Sequence, residues 1–161
     1  ITFLPQIDRF DIMALLKSVV SAMNMVFNQR GAVSEIHGNE SCFVWADEYL
    51  VEEVVTNYIS NALNHVDVDA CGKKVIAICV KESDNKVRVS VFNTGKPIPQ
   101  EDIARIWDKF YKVDKARTRE YGGNGIGLSI VKAIMNSLNR ECGVKNWDNG
   151  VEFWFELDTK A

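Results

Sequence analysis

At 161 residues with 47 % hydrophobic content, the chain has the material for one globular domain with its own core. A net charge of -3 argues against a nucleic-acid binder, which calls for a basic surface. No apolar run approaches the ~18–20 residues of a bilayer span, and no charged-then-apolar leader opens the chain.

An extended stretch over residues 1–4 leads to Asp11, which is placed to cap a helix over about residues 12–28. Ile12, Leu15, Leu16, Val19, Met23 and Val26 recur at helical spacing, and Gly31 ends the run. Residues 33–36 and 42–45 read as a strand pair joined by a Gly38-Asn39 turn. Asp47 then caps a second helix reaching about residue 66. Residues 74–82 and 86–92 alternate apolar and polar positions about Asp84-Asn85, as a hairpin does, and Gly95-Lys96-Pro97-Ile98-Pro99 ends it. A short helix is expected over 101–107, a charged loop over 112–124, and a third long helix over 127–138. Residues 141–147 and 151–157 close the chain as a hairpin around Asp148-Asn149-Gly150. Three helices and about six strands of mixed order predict an α/β (α+β) two-layer sandwich, a mixed β-sheet packed against three helices.

Cys42, Cys71, Cys79 and Cys142 show no C-x-x-C spacing, and His37 and His65 complete no zinc pattern with them. They read as reduced, mostly buried thiols of a cytosolic protein. The chain opens on Ile1 rather than Met, so it reads as a piece of something longer, whose preceding part is free to be membrane-bound.

Three segments carry chemistry. Gly123, Gly125 and Gly127 alternate just before the third long helix, leaving backbone N–H groups bare and the positive helix end aimed at whatever they hold. A polyphosphate suits them; so, on this segment alone, does service as a flexible hinge. In the second helix, Asn57, Asn61 and Asn64 fall within about 60° of one another at 100° per residue, with Val51, Val54, Val55, Tyr58 and Ala62 flanking them toward the core. Asparagine supplies a neutral oxygen suited to Mg²⁺ and an amide donor for a phosphate oxygen. A solvated polar stripe has the same pattern. Asn93-Thr94-Gly95 ends an internal strand, where a side chain can read the edge of a nucleobase; the same residues also make an ordinary turn.

Taken in order, these segments resemble the ATP-binding catalytic domain of two-component sensor histidine kinases, within the Bergerat-fold ATPases that include gyrase, MutL and a heat-shock chaperone family. The resemblance runs from Phe10 to Leu157. Asn57-Tyr-Ile-Ser-Asn61-Ala62-Leu-Asn-His65 resembles the N box, and Asn93-Thr-Gly95-Lys-Pro-Ile98-Pro99 the first glycine box. Trp107-Asp-Lys-Phe110-Tyr111-Lys112-Val-Asp114 resembles the F box, and Gly123-Asn-Gly125-Ile-Gly127-Leu128 the second glycine box. Any one of them is moderate evidence; four in the family's order and spacing are strong.

The resemblance implies ATP and Mg²⁺ as cofactors. Asn61 is similar to the family's Mg²⁺-ligating asparagine, with Asn57 helping to hold phosphate and metal water, and His65 stands where the phosphates are contacted. Asn93 takes the place of the adenine reader, with Thr94, Gly95 and Ile98 beside the base. Gly123, Asn124, Gly125, Ile126, Gly127 and Leu128 would wrap the phosphates, with residues 112–124 as the lid, Phe110 among the nucleotide-binding residues, and Lys112 beside the γ-phosphate. Asn57 and Lys112 are the implied catalytic pair. Asn64 stands where many relatives carry a basic phosphate contact, and Lys112 where many carry Arg. Lys115, Arg117 and Arg119 could compensate for the weaker clamp.

The adenine reader is usually Asp. A neutral acceptor gives a hydrogen bond worth ~1 kcal/mol less than a charge-assisted one, and an amide can flip to donate. Poorer adenine-over-guanine discrimination is therefore expected than in an Asp version.

The phosphoacceptor histidine is missing: His37 lies in a predicted turn without the family's context, and His65 belongs to the nucleotide site. The resemblance thus implies residues 1–9 as a linker from an upstream dimerisation and phosphotransfer hairpin, and 10–161 as the kinase's catalytic domain. It further implies a response regulator downstream, a homodimeric full-length protein, and a cytoplasmic setting for this domain. Rival readings are an ATP-driven conformational clamp of the gyrase or MutL type, a non-catalytic partner-binding module that kept the fold, and an anti-sigma serine kinase. The clamp hydrolases resemble one another in a glutamate base where this chain has Asn57, and an amide cannot take a proton from water. The intact asparagine and glycine boxes argue against the binding module, and the Trp107-to-Phe110 element argues against the serine kinase. Trp107, Phe110 and Tyr111 fit either the core or a contact patch for the missing hairpin.

Overall fold

The computed structural model describes residues 3–111 and 127–161. Seven strands form one sheet: β1 (Asp8–Asp11), β2 (Val33–His37), β3 (Phe43–Ala46), β4 (Val75–Ser83), β5 (Lys86–Thr94), β6 (Cys142–Trp147) and β7 (Gly150–Asp158). Their spatial order is β1-β3-β7-β5-β4-β2, with β6 also on β7. Every pairing is antiparallel except β2 with β4, so the sheet is mixed, as expected.

Helices α1 (Ile12–Ala22), α2 (Asn24–Arg30), α3 (Glu48–His65) and α4 (Gly127–Ser137) supply the second layer. Along β5, Val87, Val89 and Val91 are buried while Arg88 is exposed, the alternation of a sheet covered on one face. The core joins these valines to Phe153, Phe155 and Leu157 of β7, Val54, Tyr58 and Ile59 of α3, and Val131, Ile134 and Met135 of α4. Tyr58 is wholly buried, with its hydroxyl donating to the Trp154 carbonyl at 3.0 Å. Among the described residues no helix is long and apolar enough to cross a membrane.

Local signals account for most element ends. Asp11 Oδ1 accepts from Met13 N–H at 3.0 Å, capping α1, and from Cys42 N–H at 2.9 Å, which ties that cap to the approach to β3. Asp47 Oδ1 caps α3 through Leu50 N–H at 3.1 Å. Asp84 and Asn85, both at positive φ (50° and 65°), make the tight turn between β4 and β5.

Four expectations need correction. Residues 33–36 and 42–45 do form strands, but not a pair: β2 runs parallel to β4 at one edge, and β3 joins β1 and β7 on the other side. The intervening chain crosses the sheet at Gly38, where an added Cβ would lie 3.2 Å from Val80 Cβ and 3.3 Å from Met13 Sδ. The first helix breaks at Met23 (φ -100°, ψ 9°) into α1 and α2, while the apolar period continues through the break and so conceals it. The helix expected over 101–107 shrinks to a 3-10 turn, Gln100–Asp102, followed by turns; so short a segment, anchored by buried Ile106, repays no α-helical nucleus. Residues 8–11 add a strand that was not expected, which brings the count among the described residues to seven strands and four α-helices, against about six and three.

Candidate functional site

The asparagine helix α3 and the third long helix of the sequence, α4, pack side by side. Asn57, Asn61, Asn64 and His65 are all half-buried on α3, whereas Val51, Val54, Val55, Tyr58 and Ala62 are in the core. Asn57 Nδ2 donates back to the Glu53 carbonyl at 2.8 Å. Its Oδ1 is turned toward α4: a Cβ built on Gly127 would stand 2.9 Å from it. Glycine is needed at 127 because the asparagine occupies the space a side chain would fill, and not because of its backbone dihedrals. The N-terminus of α4, with its partial positive charge, thus abuts the amide-bearing face of α3.

The first glycine box lies at the other end of α3. Gly95 (φ +138°) rests on the chain leaving that helix, where an added Cβ would be 3.1 Å from the His65 carbonyl and 3.3 Å from Asp67 N. Asp67 N–H donates to the Thr94 carbonyl at 2.9 Å. Asn93 and Thr94 are only 2 % and 3 % exposed and are the buried polar residues among those described. Asn93 Nδ2 donates to the Thr94 carbonyl at 3.1 Å, and Thr94 Oγ1 accepts from Val75 N–H at 3.0 Å. Both side chains are therefore fixed by the sheet rather than free in a turn, so that end of β5 is a rigid platform.

The F-box segment divides. Trp107 is half-buried and meets Phe153 edge-on, with ring centroids 5.8 Å apart. Tyr111 donates its hydroxyl to Asp102 and lies under the Arg105 guanidinium. Phe110 is 64 % exposed and sits at φ +68°, a backbone region a bulky side chain rarely adopts. Trp107 thus belongs with the core and Phe110 with the surface. Leu128 packs against the core from the first turn of α4. Lys112, Gly123, Asn124, Gly125 and Ile126 lie outside the described residues.

Residues the sequence reading missed hold the first glycine box from the other side. Gly95 N–H donates to the Asn149 carbonyl at 2.9 Å, and Asn146 pairs with both backbone groups of Ile98. Gly150 is required by space alone, since a Cβ there would stand 2.0 Å from the Asn93 carbonyl oxygen. The only signal in the sequence was the tight hairpin itself.

Among the described residues no group of three His, Cys, Asp or Glu side chains gathers to hold a metal. A cavity of about 180 Å³ bordered by Trp45, Leu138, Arg140 and Asp158 involves none of the candidate site residues. Burial pushes the thiols of Cys79 and Cys142 up, and burial with the Glu82 carboxylate takes Cys42 from 9.0 to about 12, which suits structural rather than nucleophilic cysteines.

A family model described as histidine kinase-, DNA gyrase B-, and HSP90-like ATPase matches residues 46–161. The sensor histidine kinase CusS of Escherichia coli (strain K12) is 31 % identical over 163 residues, covering 96 % of this chain and 33 % of CusS. The catalytic domain of histidine kinase ThkA, in a nucleotide-free form, is 27 % identical with a TM-score of 0.82, covering 96 % of each chain. ThkA in complex with the response regulator protein TrrA matches at 28 % identity and TM-score 0.76, over 97 % of this chain and 42 % of that one. Full-length ShkA in complex with AMPPNP is 25 % identical with a TM-score of 0.83, over all of this chain and 33 % of that one. The chain spans about a third of the length of CusS.

Proposed function

Because the chain belongs to the histidine kinase-, DNA gyrase B-, and HSP90-like ATPase family, we propose that it is the ATP-binding catalytic domain of a sensor histidine kinase. In this reading residues 10–161 bind Mg–ATP and deliver its γ-phosphoryl group to a histidine on a separate dimerisation hairpin, with residues 1–9 as the linker. A response regulator takes the phosphoryl group onward, as the pairing of ThkA with TrrA supports. The observation that carries the proposal is the packing of Gly127 against Asn57 at one end of the asparagine face, and of Gly95 against the exit of α3 at the other.

The residues present fit a metal that arrives with its nucleotide. Amide oxygens contribute no charge, so Asn61 and Asn57 suit an Mg²⁺ already carrying phosphate oxygens, and no carboxylate cluster competes for it among the described residues. When bound, the ion neutralises charge on the phosphates. Asn57, held by the Glu53 carbonyl, orients the tail. Asn93 would read the base edge, and Lys112 is assigned the γ-phosphate from the sequence alone. Phosphoryl transfer asks chiefly for such positioning and charge stabilisation. With an amide at Asn57 the domain has no base there to activate water, which disfavours the clamp-type hydrolase reading.

Titrating the chain with AMPPNP, with and without Mg²⁺, tests the proposal. Tight magnesium-dependent binding that Asn61→Ala weakens at least tenfold is expected; an indifferent Asn61→Ala would overturn the metal assignment. Added in trans, the hairpin of a relative should become phosphorylated, and loss of that transfer in Phe110→Ala would make the exposed Phe110 part of the docking patch.

A further inference from the structure

The C-terminal hairpin holds the first glycine box at both ends. Gly95 N–H donates to the carbonyl of Asn149, in the turn between β6 and β7. Three residues on, Asn146 Oδ1 accepts from Ile98 N–H at 2.9 Å while its Nδ2 donates to the Ile98 carbonyl at 2.8 Å. A primary amide is the side-chain copy of a peptide group, so this two-point pairing binds a loop residue as a neighbouring strand would. Asn146 is half-buried, and β6 fixes its height through the register of Asn146 with Val151. On its other side the loop rests against the exit of α3 at Gly95.

We propose that Asn146 is a positioning residue for nucleotide binding, holding the Gly95-to-Ile98 loop at the height where it closes over the base. This inference rests on the nucleotide reading of the first glycine box. Among the described residues the side-chain hydrogen bonds of Asn146 go to Ile98, at the base end of the proposed site, and not to α3 or α4. The metal-assisted phosphate end, at Asn57, Asn61 and Gly127, is held by α3 and α4 instead.

The test is calorimetric titration of wild type and Asn146→Ala with AMPPNP, each with and without Mg²⁺, alongside urea denaturation. Loss of the pairing should lower AMPPNP affinity by about tenfold, while the ratio of affinities with and without Mg²⁺ stays at the wild-type value. Unchanged affinity, or a Mg²⁺ ratio that falls along with it, overturns the proposal and leaves the nucleotide reading standing. A wild-type chain that binds no AMPPNP overturns both. Should Asn146→Ala fail to fold, amide exchange in the wild-type protein decides the matter. The Ile98 amide is expected to be protected to the level of β6, and exchange at the rate of an open loop would refute the clamp.

Discussion

Gly127→Ala probes the contact on which the site rests. The new methyl carbon would sit 2.9 Å from Asn57 Oδ1, about 0.5 Å inside the 3.4 Å of ordinary contact, and the tether from Nδ2 to the Glu53 carbonyl resists the amide's retreat. Overpacking of this kind costs about 1–3 kcal/mol, offset by up to ~1 kcal/mol because alanine is the better helix former. Net destabilisation of about 0–3 kcal/mol is expected in urea unfolding. Binding should suffer more. In the proposed site a displaced Asn57 would forfeit a hydrogen bond to a charged phosphate, worth about 1.5–3 kcal/mol, so AMPPNP affinity is expected to fall tenfold or more. In the double variant with Asn57→Ala the methyl group has room, and stability should recover by more than additivity allows while binding stays weak. If the two substitutions add within about 0.5 kcal/mol in stability, or if Gly127→Ala binds AMPPNP like wild type, Asn57 and Gly127 do not meet as described.

Gly150→Ala places a Cβ 2.0 Å from the Asn93 carbonyl, and backbone cannot yield as a side chain does; a loss of about 3 kcal/mol or more is expected in denaturant unfolding, and a wild-type midpoint would show that Gly150 and Asn93 do not meet so closely. Asn93→Asp should raise the preference for ATP over GTP about fivefold in competition binding. The gain is limited because the amide must already give up its bond to the Thr94 carbonyl before it can flip, and an unchanged preference would count against Asn93 as base reader. Cys42 keeps its proton in the fold up to about pH 12 while the unfolded thiol releases its own near 9.0, so its contribution is intact below pH 9 and drains away between those values. Stability measured across that window should fall less steeply in Cys42→Ala, and a slope equal to wild type would show that neither burial nor Glu82 holds the thiol's proton in the fold.

Signals carried by neighbours in the chain were legible before any coordinates. Asp47 announced α3, Asp84-Asn85 announced the β4–β5 hairpin, and the apolar period of α3 separated its asparagine stripe from its valines. Partnerships across long separations were not. The partner of β2 is β4, some forty residues away, and a local turn signal at Gly38-Asn39 pointed to the wrong neighbour. At Met23 the dihedral break leaves hydrophobic spacing undisturbed, so a pattern of side chains could not reveal it. Asn57, Asn61 and Asn93 stood out as candidates because three amides on one helix and one at a strand end are costly unless used. Asn146 did not, because its partner is the backbone of a residue 48 positions away and backbone has no sequence signature.

The place of β7 in the sheet also sets a timetable for synthesis. Its partner β5 is complete at residue 94, yet β7 is not finished until 158. At a translation rate of roughly 5–20 residues per second, β5 therefore waits about 3–13 seconds with one edge bare. Nucleotide cannot serve as a template during that interval, because the hairpin that pairs with Gly95 and Ile98 has not yet emerged. A nascent chain must be shielded from sticking to its neighbours by other means, and it gains the capacity to hold ATP in a single late step.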